Sequence, residues 1–397
     1  MPPHPEFASW LGTTNEITAG FLSAGRIPGL INMAGGLPAP ETFPAAEIAE
    51  LARTVVLSDA AAALGYSPVD GLAELRDAIA ARFSEPGLRL TRDNVLVTTA
   101  GMQGLDLIGK VLLEPGQVIA AQFPTYLGAI DAWRMHHPVY RPFQPEDNAL
   151  DPVAVLSGAK FGYAVPNFSN PTGRLVGLQM RRALVEAAHA TGTWLVEDDP
   201  YGTLHYEGAP LPRLIALSGA LGAPGAYDGP VVYMGTLSKE IVPGLRIGWV
   251  IAAPAMIRAL TAAKQGSDMC SSGLTQGIAL AALRAGLIER IRPGVLALYR
   301  ARRDALCAAM ETHLATVFDW ERPVGGMFVW AVARDPGFDT DRLLAAALAE
   351  GVSVTPSSVF DPAGQNRRAI RLNFTLNPPE VLAEGVRRLA RAAATLG

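Results

Sequence analysis

The chain has 397 residues, 49% of them hydrophobic, with 33 basic against 37 acidic side chains and a net charge of −4. Single cores stop growing at about 250–300 residues, so two domains are expected. Scattered charges of both signs argue against a nucleic-acid or membrane-surface role, and two cysteines 37 positions apart (Cys270, Cys307) argue against a disulfide scaffold or zinc site and fit a cytoplasmic protein.

The segment Met1–Glu6 lacks the basic-then-apolar pattern of a signal peptide, and the longest apolar stretch, Ile247–Ile257, contains Pro254 and is too short to span a bilayer. From residue 94 onward, β-rich runs alternate with helical periodicity. Val95–Thr99 reads as a strand, followed by Gly101 and an amphipathic helix to Leu113. Val118–Gln122 is the next strand, then a helix from Thr125 to Met135. A strand at Phe161–Val165, a helix near Leu178–Ala190 and a strand at Trp194–Asp198 follow, and Val231–Met234 and Ile247–Ile251 complete the set. Such alternation predicts an α/β fold, a mainly parallel sheet covered by helices on both faces. Beyond residue 252 long helical stretches run to His313. A smaller sheet is expected from Gly326–Val332, Val352–Thr355 and Ile370–Thr375, with helices at Asp341–Glu350 and Pro379–Ala394. The division expected is a large domain, 51–289, and a small α+β domain of 1–50 with 290–397, bridged by a long helix.

The polar residues of interest sit at or just after predicted strand ends, where ligands bind in doubly wound sheets. Lys239 is one of only four lysines and lies in Thr236-Leu-Ser-Lys239, seven positions before Arg246. A desolvated lysine is a neutral amine nucleophile, suited to an imine with an aldehyde cofactor whose phosphate rests on the hydroxyls of Thr236 and Ser238 and on Arg246. The plainer reading is a surface lysine in an arginine-rich chain. Asp198 closes an apolar run and needs a cationic partner such as a protonated pyridine nitrogen, with Tyr201 three residues on; these acids could instead cap a helix or lie in solvent. Asn170-Pro-Thr-Gly173 makes a strand-to-helix turn whose Asn170 amide can donate to a cofactor oxygen, with Gly173 free to take positive φ. The Thr98–Gly104 turn, with Gly101 and Met102, opens a helix N-terminus fit for an anion. Tyr126 suits stacking on a ring or plain core packing. Arg371, inside an apolar strand, calls for a carboxylate, from substrate or from an internal salt bridge. The six histidines have no metal-ligand spacing, and the dinucleotide, P-loop and Gly-x-Ser-x-Gly signatures are missing, so no metal is expected.

Five motifs in this order resemble a fold-type I, pyridoxal-phosphate-dependent aminotransferase of class I/II. They are Gly35-Gly-Leu-Pro38, Tyr66-Ser-Pro, Asn170-Pro-Thr-Gly173, Asp198-Asp-Pro-Tyr201 with Ser238-Lys239, and Arg371-Leu-Asn-Phe. The segment from Ala34 to Glu41 is most similar to the 2-aminoadipate/kynurenine branch. The resemblance implies a sheet of the seven-stranded type and pyridoxal 5'-phosphate as cofactor. It further implies Lys239 as the Schiff-base lysine, Asp198 at the pyridine nitrogen, Tyr201 and Asn170 at the phenolic oxygen, and Tyr126 stacked on the ring. Gly101, Met102, Thr236, Ser238 and Arg246 are implied around the phosphate, Arg371 on the substrate carboxylate, and Gly36 beside the substrate. Tyr66 is implied to reach the neighbouring site of a homodimer. Two departures stand out. Gly101-Met102 replaces a frequent Ser-Gln, and the apolar Ile17–Leu22, with Arg26 out of register, lacks the arginine that binds a side-chain carboxylate in aminoadipate-type members. The expected reaction moves an amino group between an aliphatic or aromatic L-amino acid, with a 2-aminoadipate-like one as second choice, and a 2-oxo acid. A β-lyase or decarboxylase is the alternative. A non-catalytic effector domain is disfavoured, because residues 1–30 are too short for a winged helix.

Overall fold

The structure is a computed structural model and describes residues 6–13, 28–147 and 149–396. A short strand β1 (Ile31–Asn32) comes first. The large sheet follows, built of β2 (Val95–Thr98), β3 (Val118–Gln122), β4 (Val139–Phe143), β5 (Phe161–Ala164), β6 (Trp194–Asp198), β7 (Val231–Thr236) and β8 (Gly248–Ile251). Its order is β2-β8-β7-β6-β5-β3-β4. Only β8 runs antiparallel to its neighbours, so the expected mainly parallel seven-stranded sheet is present.

Alternation along each strand divides two cores. Leu96, Val196, Val232 and Val250 pack with Leu105 and Ile108 of the helix Ala100–Leu112. Val95, Leu195, Val231 and Ile251 pack with Leu184 and Leu214 of the helices Leu178–Thr191 and Leu214–Leu221. Burial on both faces explains why these strands are nearly continuous runs of apolar residues. The edge strand β4 escaped the sequence reading because Arg141 and Pro142 interrupt it. Proline is tolerated there because β4 pairs on one side only, with β3. The helix expected over Thr125–Met135 is shorter, Leu127–Trp133, and its last turn tightens into a 3-10 turn at Arg134–His136.

A second sheet, of order β12-β13-β10-β9, joins β9 (Phe318–Trp320), β10 (Phe328–Ala333), β12 (Thr355–Pro356) and β13 (Ala369–Asn373), all antiparallel, while β11 (Val352–Ser353) pairs with β1. Helices Thr340–Ala349 and Pro379–Ala394 pack together over it. The long helix expected to bridge the two domains is Leu287–His313, 27 residues long. Both domain boundaries read from the sequence fall inside helices, at 50/51 within Ala45–Ser58 and at 289/290 within Leu287–His313. Among the described residues, no helix is long and apolar enough to cross a membrane.

Candidate active site

The carboxyl ends of the parallel strands and the start of the helix Ala100–Leu112 enclose a cavity of about 180 Å3. Gly101, Met102, Tyr126, Asn170, Asp198, Tyr201, Thr236, Ser238, Lys239 and Arg246 all line it. These ten residues come from five separate stretches of chain, and the sequence reading had singled out each of them.

Lys239 follows the end of β7. Its Nζ donates to the Gly36 carbonyl at 2.7 Å, which brings the first glycine motif to the lysine across 203 positions. Burial, then the neighbouring Arg371 and Arg246 cations, lower the amine from 10.5 to about 8. Both causes favour the neutral, nucleophilic form. Asp198 ends β6, and its Oδ2 accepts from the Tyr163 hydroxyl at 2.7 Å. Burial pushes this carboxyl up to about 6, and the Tyr163 bond opposes the rise.

The three consecutive acids separate by strand pleat. Glu197 points to the opposite face and accepts the Leu214 and Ile215 amides at 2.8 and 2.9 Å, capping the helix Leu214–Leu221. Asp199 takes the Asn167 amide at 2.8 Å and the Tyr233 hydroxyl at 3.2 Å. The helix-capping role that the sequence left open for these acids thus belongs to Glu197.

Asn170 links two parts of the site. Its Nδ2 donates to the Tyr201 hydroxyl at 3.4 Å, and its Oδ1 accepts from Arg371 Nη1 at 2.6 Å. Gly173 adopts φ +69°, as the turn requires, and a Cβ there would lie 2.6 Å from the Phe328 carbonyl oxygen. Arg371 is 5% exposed. Its Nη2 donates to the Ala34 carbonyl at 2.5 Å and to Thr355 Oγ1 at 3.3 Å. Its guanidinium lies between the Phe328 ring at 4.3 Å and the Phe360 ring at 4.9 Å. Every acceptor it meets is neutral, and its Nε has no hydrogen-bond partner among the described residues. A buried guanidinium without a carboxylate is costly, and burial lowers it to about 10. Among the described residues, the internal salt bridge left open by the sequence is therefore not formed, and the geometry leaves the cation for an outside anion.

Around the other end of the cavity, Ser238 N donates to Thr236 Oγ1 at 3.1 Å, and the two hydroxyls lie 3.0 Å apart. Arg246 sits at φ +52° and Ala100 at φ +61°. Two non-glycine residues in the left-handed region beside one cavity are strain of the kind that clusters at ligand sites. Gly248 lets β8 pass under this point, since a Cβ there would lie 2.8 Å from the Ala100 carbonyl carbon. The Tyr126 hydroxyl contacts Met102 Sδ at 3.6 Å, and burial pushes that phenol up to about 12.

Tyr66 stands apart from these residues. It is 89% exposed, in the loop that follows the helix Ala60–Leu64, and does not line the cavity. The segment Ile17–Leu22 and Arg26 lie outside the described residues. Sequence reasoning missed Tyr163, Phe328, Thr355 and the Ala34 carbonyl. Tyr163 had a usable signal: it pairs with Val196 in the parallel register, so the pleat places it on the Asp198 side. A larger cavity of about 440 Å3 lies on the other face of the sheet, lined by the ion-paired Arg82 and Glu240 together with Asp199 and Trp249. It contains neither the lysine nor Asp198.

An amine tuned toward neutrality, a buried carboxyl, hydroxyls beside Arg246 and, next to them, a guanidinium without an acid partner among the described residues are a set that suits an enzyme binding an aldehyde cofactor and a carboxylate substrate. The sequence profile described as "Aminotransferase class I and II" matches residues 28–389. The chain is 36% identical to aromatic-amino-acid aminotransferase 1 of Thermococcus litoralis, over 91% of this chain and 87% of that one. It is 37% identical to the 2-aminoadipate transaminase of Thermus thermophilus, over 92% and 90%. The solved structure of the alpha-aminoadipate aminotransferase LysN from Thermus thermophilus, complexed with N-(5'-phosphopyridoxyl)-L-leucine, superposes with a TM-score of 0.89 at 34% identity, covering 98% of this chain and 97% of that one. The chain belongs to the class I and II aminotransferases. It is a fold-type I, pyridoxal-phosphate-dependent transaminase acting on amino and oxo acids. The residues present fit that cofactor: Asp198 keeps Oδ1 free of any protein donor among the described residues, and a Cβ on Gly101 would meet nothing within 4 Å, leaving the helix amides open.

Proposed function

We propose that Lys239, Asp198 and Arg371 divide the transamination between them, and that the physiological donor is an aliphatic or aromatic L-amino acid. The observation that carries this reading is one cavity holding a lysine lowered to about 8, a carboxylate with a free oxygen and, through Asn170, an arginine without an acid partner among the described residues. Pyridoxal phosphate, when bound, supplies an aldehyde carbon and a ring that withdraws electrons from the substrate Cα. Arg371 takes the substrate carboxylate in its planar fork and so fixes the Cα–H bond in one direction. Lys239 Nζ takes the Cα proton, and its amine near neutrality suits that duty at physiological pH. Asp198 would hold the ring nitrogen's proton through its free Oδ1, Tyr201 and Asn170 would hold the phenolic oxygen, and Tyr126 would pack against the ring. Thr236, Ser238, Arg246 and the amides of Gly101 and Met102 would hold the phosphate. The Gly36 backbone borders the substrate next to Lys239.

The apolar donor preference rests on the Phe328 and Phe360 faces around Arg371 and on the lack of a further cation in the cavity wall beyond Lys239 and Arg246 among the described residues. The 2-aminoadipate named for one relative is the second choice. A homodimer in which Tyr66 enters the neighbour's site accounts for a tyrosine left 89% exposed. Two free cysteines suit a cytoplasmic enzyme. The two sheets suit a division into a large cofactor domain and a small domain bridged by Leu287–His313.

The test is a panel of L-amino acids with 2-oxoglutarate and pyruvate as acceptors, followed by borohydride reduction and peptide mapping. A new amino acid formed from an apolar donor, with the reduced adduct on Lys239, is the expected result. Release of ammonia with pyruvate, or of carbon dioxide, in place of a new amino acid would overturn the transamination roles. A preference for dicarboxylic donors would overturn the substrate choice alone.

A further inference from the structure

We propose that Tyr163 is the positioning residue for Asp198, a phenol that holds one carboxylate oxygen so that the other stays ionised and aimed at the cofactor ring. The inference rests on the cofactor reading above for its consequence, and on geometry for its substance. Tyr163 is wholly buried in β5. Its hydroxyl donates to Asp198 Oδ2 at 2.7 Å, and Asp198 has no other protein donor among the described residues. The ring cannot swing away. Trp133 packs edge-on against it, centroids 5.1 Å apart at 86°, and the Trp133 indole N–H donates to the Leu105 carbonyl at 2.8 Å. Leu105 lies in the helix Ala100–Leu112, whose first turn lines the other end of the same cavity. One packed chain, Leu105–Trp133–Tyr163–Asp198, therefore ties the ring-nitrogen end of the site to its phosphate end.

Electrostatics agree with this role. Burial and the neighbouring Asp199 charge raise the Asp198 carboxyl, and the Tyr163 bond lowers it. Burial and the Asp198 charge hold the Tyr163 phenol far above its usual range, so it remains a donor at any working pH. Among the described residues, the other ionisable groups facing Asp198 are Asp199 just past the end of its strand, Tyr126 at the head of the helix Leu127–Trp133, and Tyr201, Lys239 and Arg246 around the cavity, with Arg371 beyond Asn170. None of them donates a hydrogen bond to the carboxylate. Without the phenol, the carboxylate gains a proton at higher pH and loses its fixed rotamer.

Tyr163→Phe removes the hydroxyl and keeps the ring on Trp133. A pH titration of the Asp198 carboxyl band by difference infrared, in cofactor-free protein against Asp198→Asn, reads the coupling without any chemistry. The midpoint should rise by about one pH unit, the equivalent of a roughly ten-fold change. In the loaded enzyme, the acid limb of kcat should move up by the same amount and the cofactor dissociation constant should rise about ten-fold, at unchanged KM for the amino donor. In an Asp198→Asn background, Tyr163→Phe should change cofactor affinity less than about two-fold, because the partner it acts through is gone. An unmoved carboxyl midpoint overturns the proposal, and so does an equal affinity loss in both backgrounds, the mark of a merely structural phenol. If Tyr163→Phe lowers the melting temperature too far to titrate, Trp133→Phe, which loosens the tyrosine and keeps its hydroxyl, should give a smaller rise in the same midpoint; no rise overturns it. Wild-type protein that binds no pyridoxal phosphate would instead sink the cofactor reading, and the infrared shift would still decide the Tyr163–Asp198 link.

Discussion

Arg371→Lys keeps a positive charge at the carboxylate end of the cavity but removes the planar fork. Arg371 now spends Nη1 on Asn170 at 2.6 Å and Nη2 on Ala34 at 2.5 Å, and its Nε is unused. Its guanidinium lies over the rings of Phe328 and Phe360, contacts that a compact ammonium cannot reproduce. Lysine at this point can replace one of the two arms offered to a substrate carboxylate. A hydrogen bond to a charged group is worth about 1.5–3 kcal/mol, so losing one arm should lower kcat/KM for amino acids roughly 10- to 100-fold. The informative assay compares an amino acid with the amine of the same side chain that lacks the carboxylate. Wild type should favour the amino acid strongly, and Arg371→Lys should shrink that preference by the same factor, leaving turnover of the amine nearly unchanged. Equal losses on both substrates would refute the argument, since they would mean that Arg371 acts through Asn170 and Tyr201 rather than on the substrate.

Three further outcomes are expected. Lys239→Ala should abolish the borohydride-trapped adduct and all transamination; an adduct on Lys110, Lys160 or Lys264 would end the assignment. Because burial lowers Lys239 to about 8, the amine is deprotonated more readily than an ordinary lysine. Roughly a tenth is neutral at pH 7 and about half at pH 8, so cofactor attachment to the cofactor-free protein should speed up through pH 8 and level off, whereas a rate still climbing at pH 10 would signal an unshifted lysine. Gly248→Ala drives a methyl to 2.8 Å from the Ala100 carbonyl carbon and 3.0 Å from the Gly101 nitrogen. It should cost about 1–3 kcal/mol of stability and weaken phosphate binding together, read by thermal melts with and without cofactor, and a variant with neither loss would show that the helix start can shift freely.

Much of the fold was legible because the central strands are buried on both faces and read as unbroken apolar runs. In the large sheet, what escaped was one of its two edges. Strand β4 carries Arg141 and Pro142, which only a one-sided strand tolerates, and nothing local says which strand is the edge. The site was legible for a related reason. Each of its polar residues interrupts or ends an apolar run, a place where a buried charge must be justified by a partner. Partners themselves were not legible. Arg371 meets Phe328 and Phe360 only because β13 pairs with β10, with Arg371 opposite Trp330, and because the turn Ser357–Phe360 folds back over it. The Gly36 carbonyl reaches Lys239 from 203 positions away. Such contacts belong to strand register and chain reversal, not to spacing.

Glu197, Asp198 and Asp199 carry the same point into chemistry. In the sequence they are three adjacent acids, of which Asp198 stands out as closing an apolar run, but their hydrogen-bond partners cannot be read there. Strand pleat sends Glu197 and Asp199 to one face and Asp198 to the other. Glu197 then meets a helix N-terminus, where two amides satisfy it, although burial still raises it to about 7. Asp199 meets an amide and a phenol that use both of its oxygens. Among the described residues, Asp198 alone receives a single donor, on one oxygen, and opens on the cavity with the other. Since all three are raised by burial, low accessibility does not distinguish the acid that does chemistry. The count of donors does. A buried carboxylate whose protein donors fall one short is arranged for a donor that arrives with the ligand, and the unfilled Nε of Arg371 mirrors it as a buried donor awaiting an acceptor.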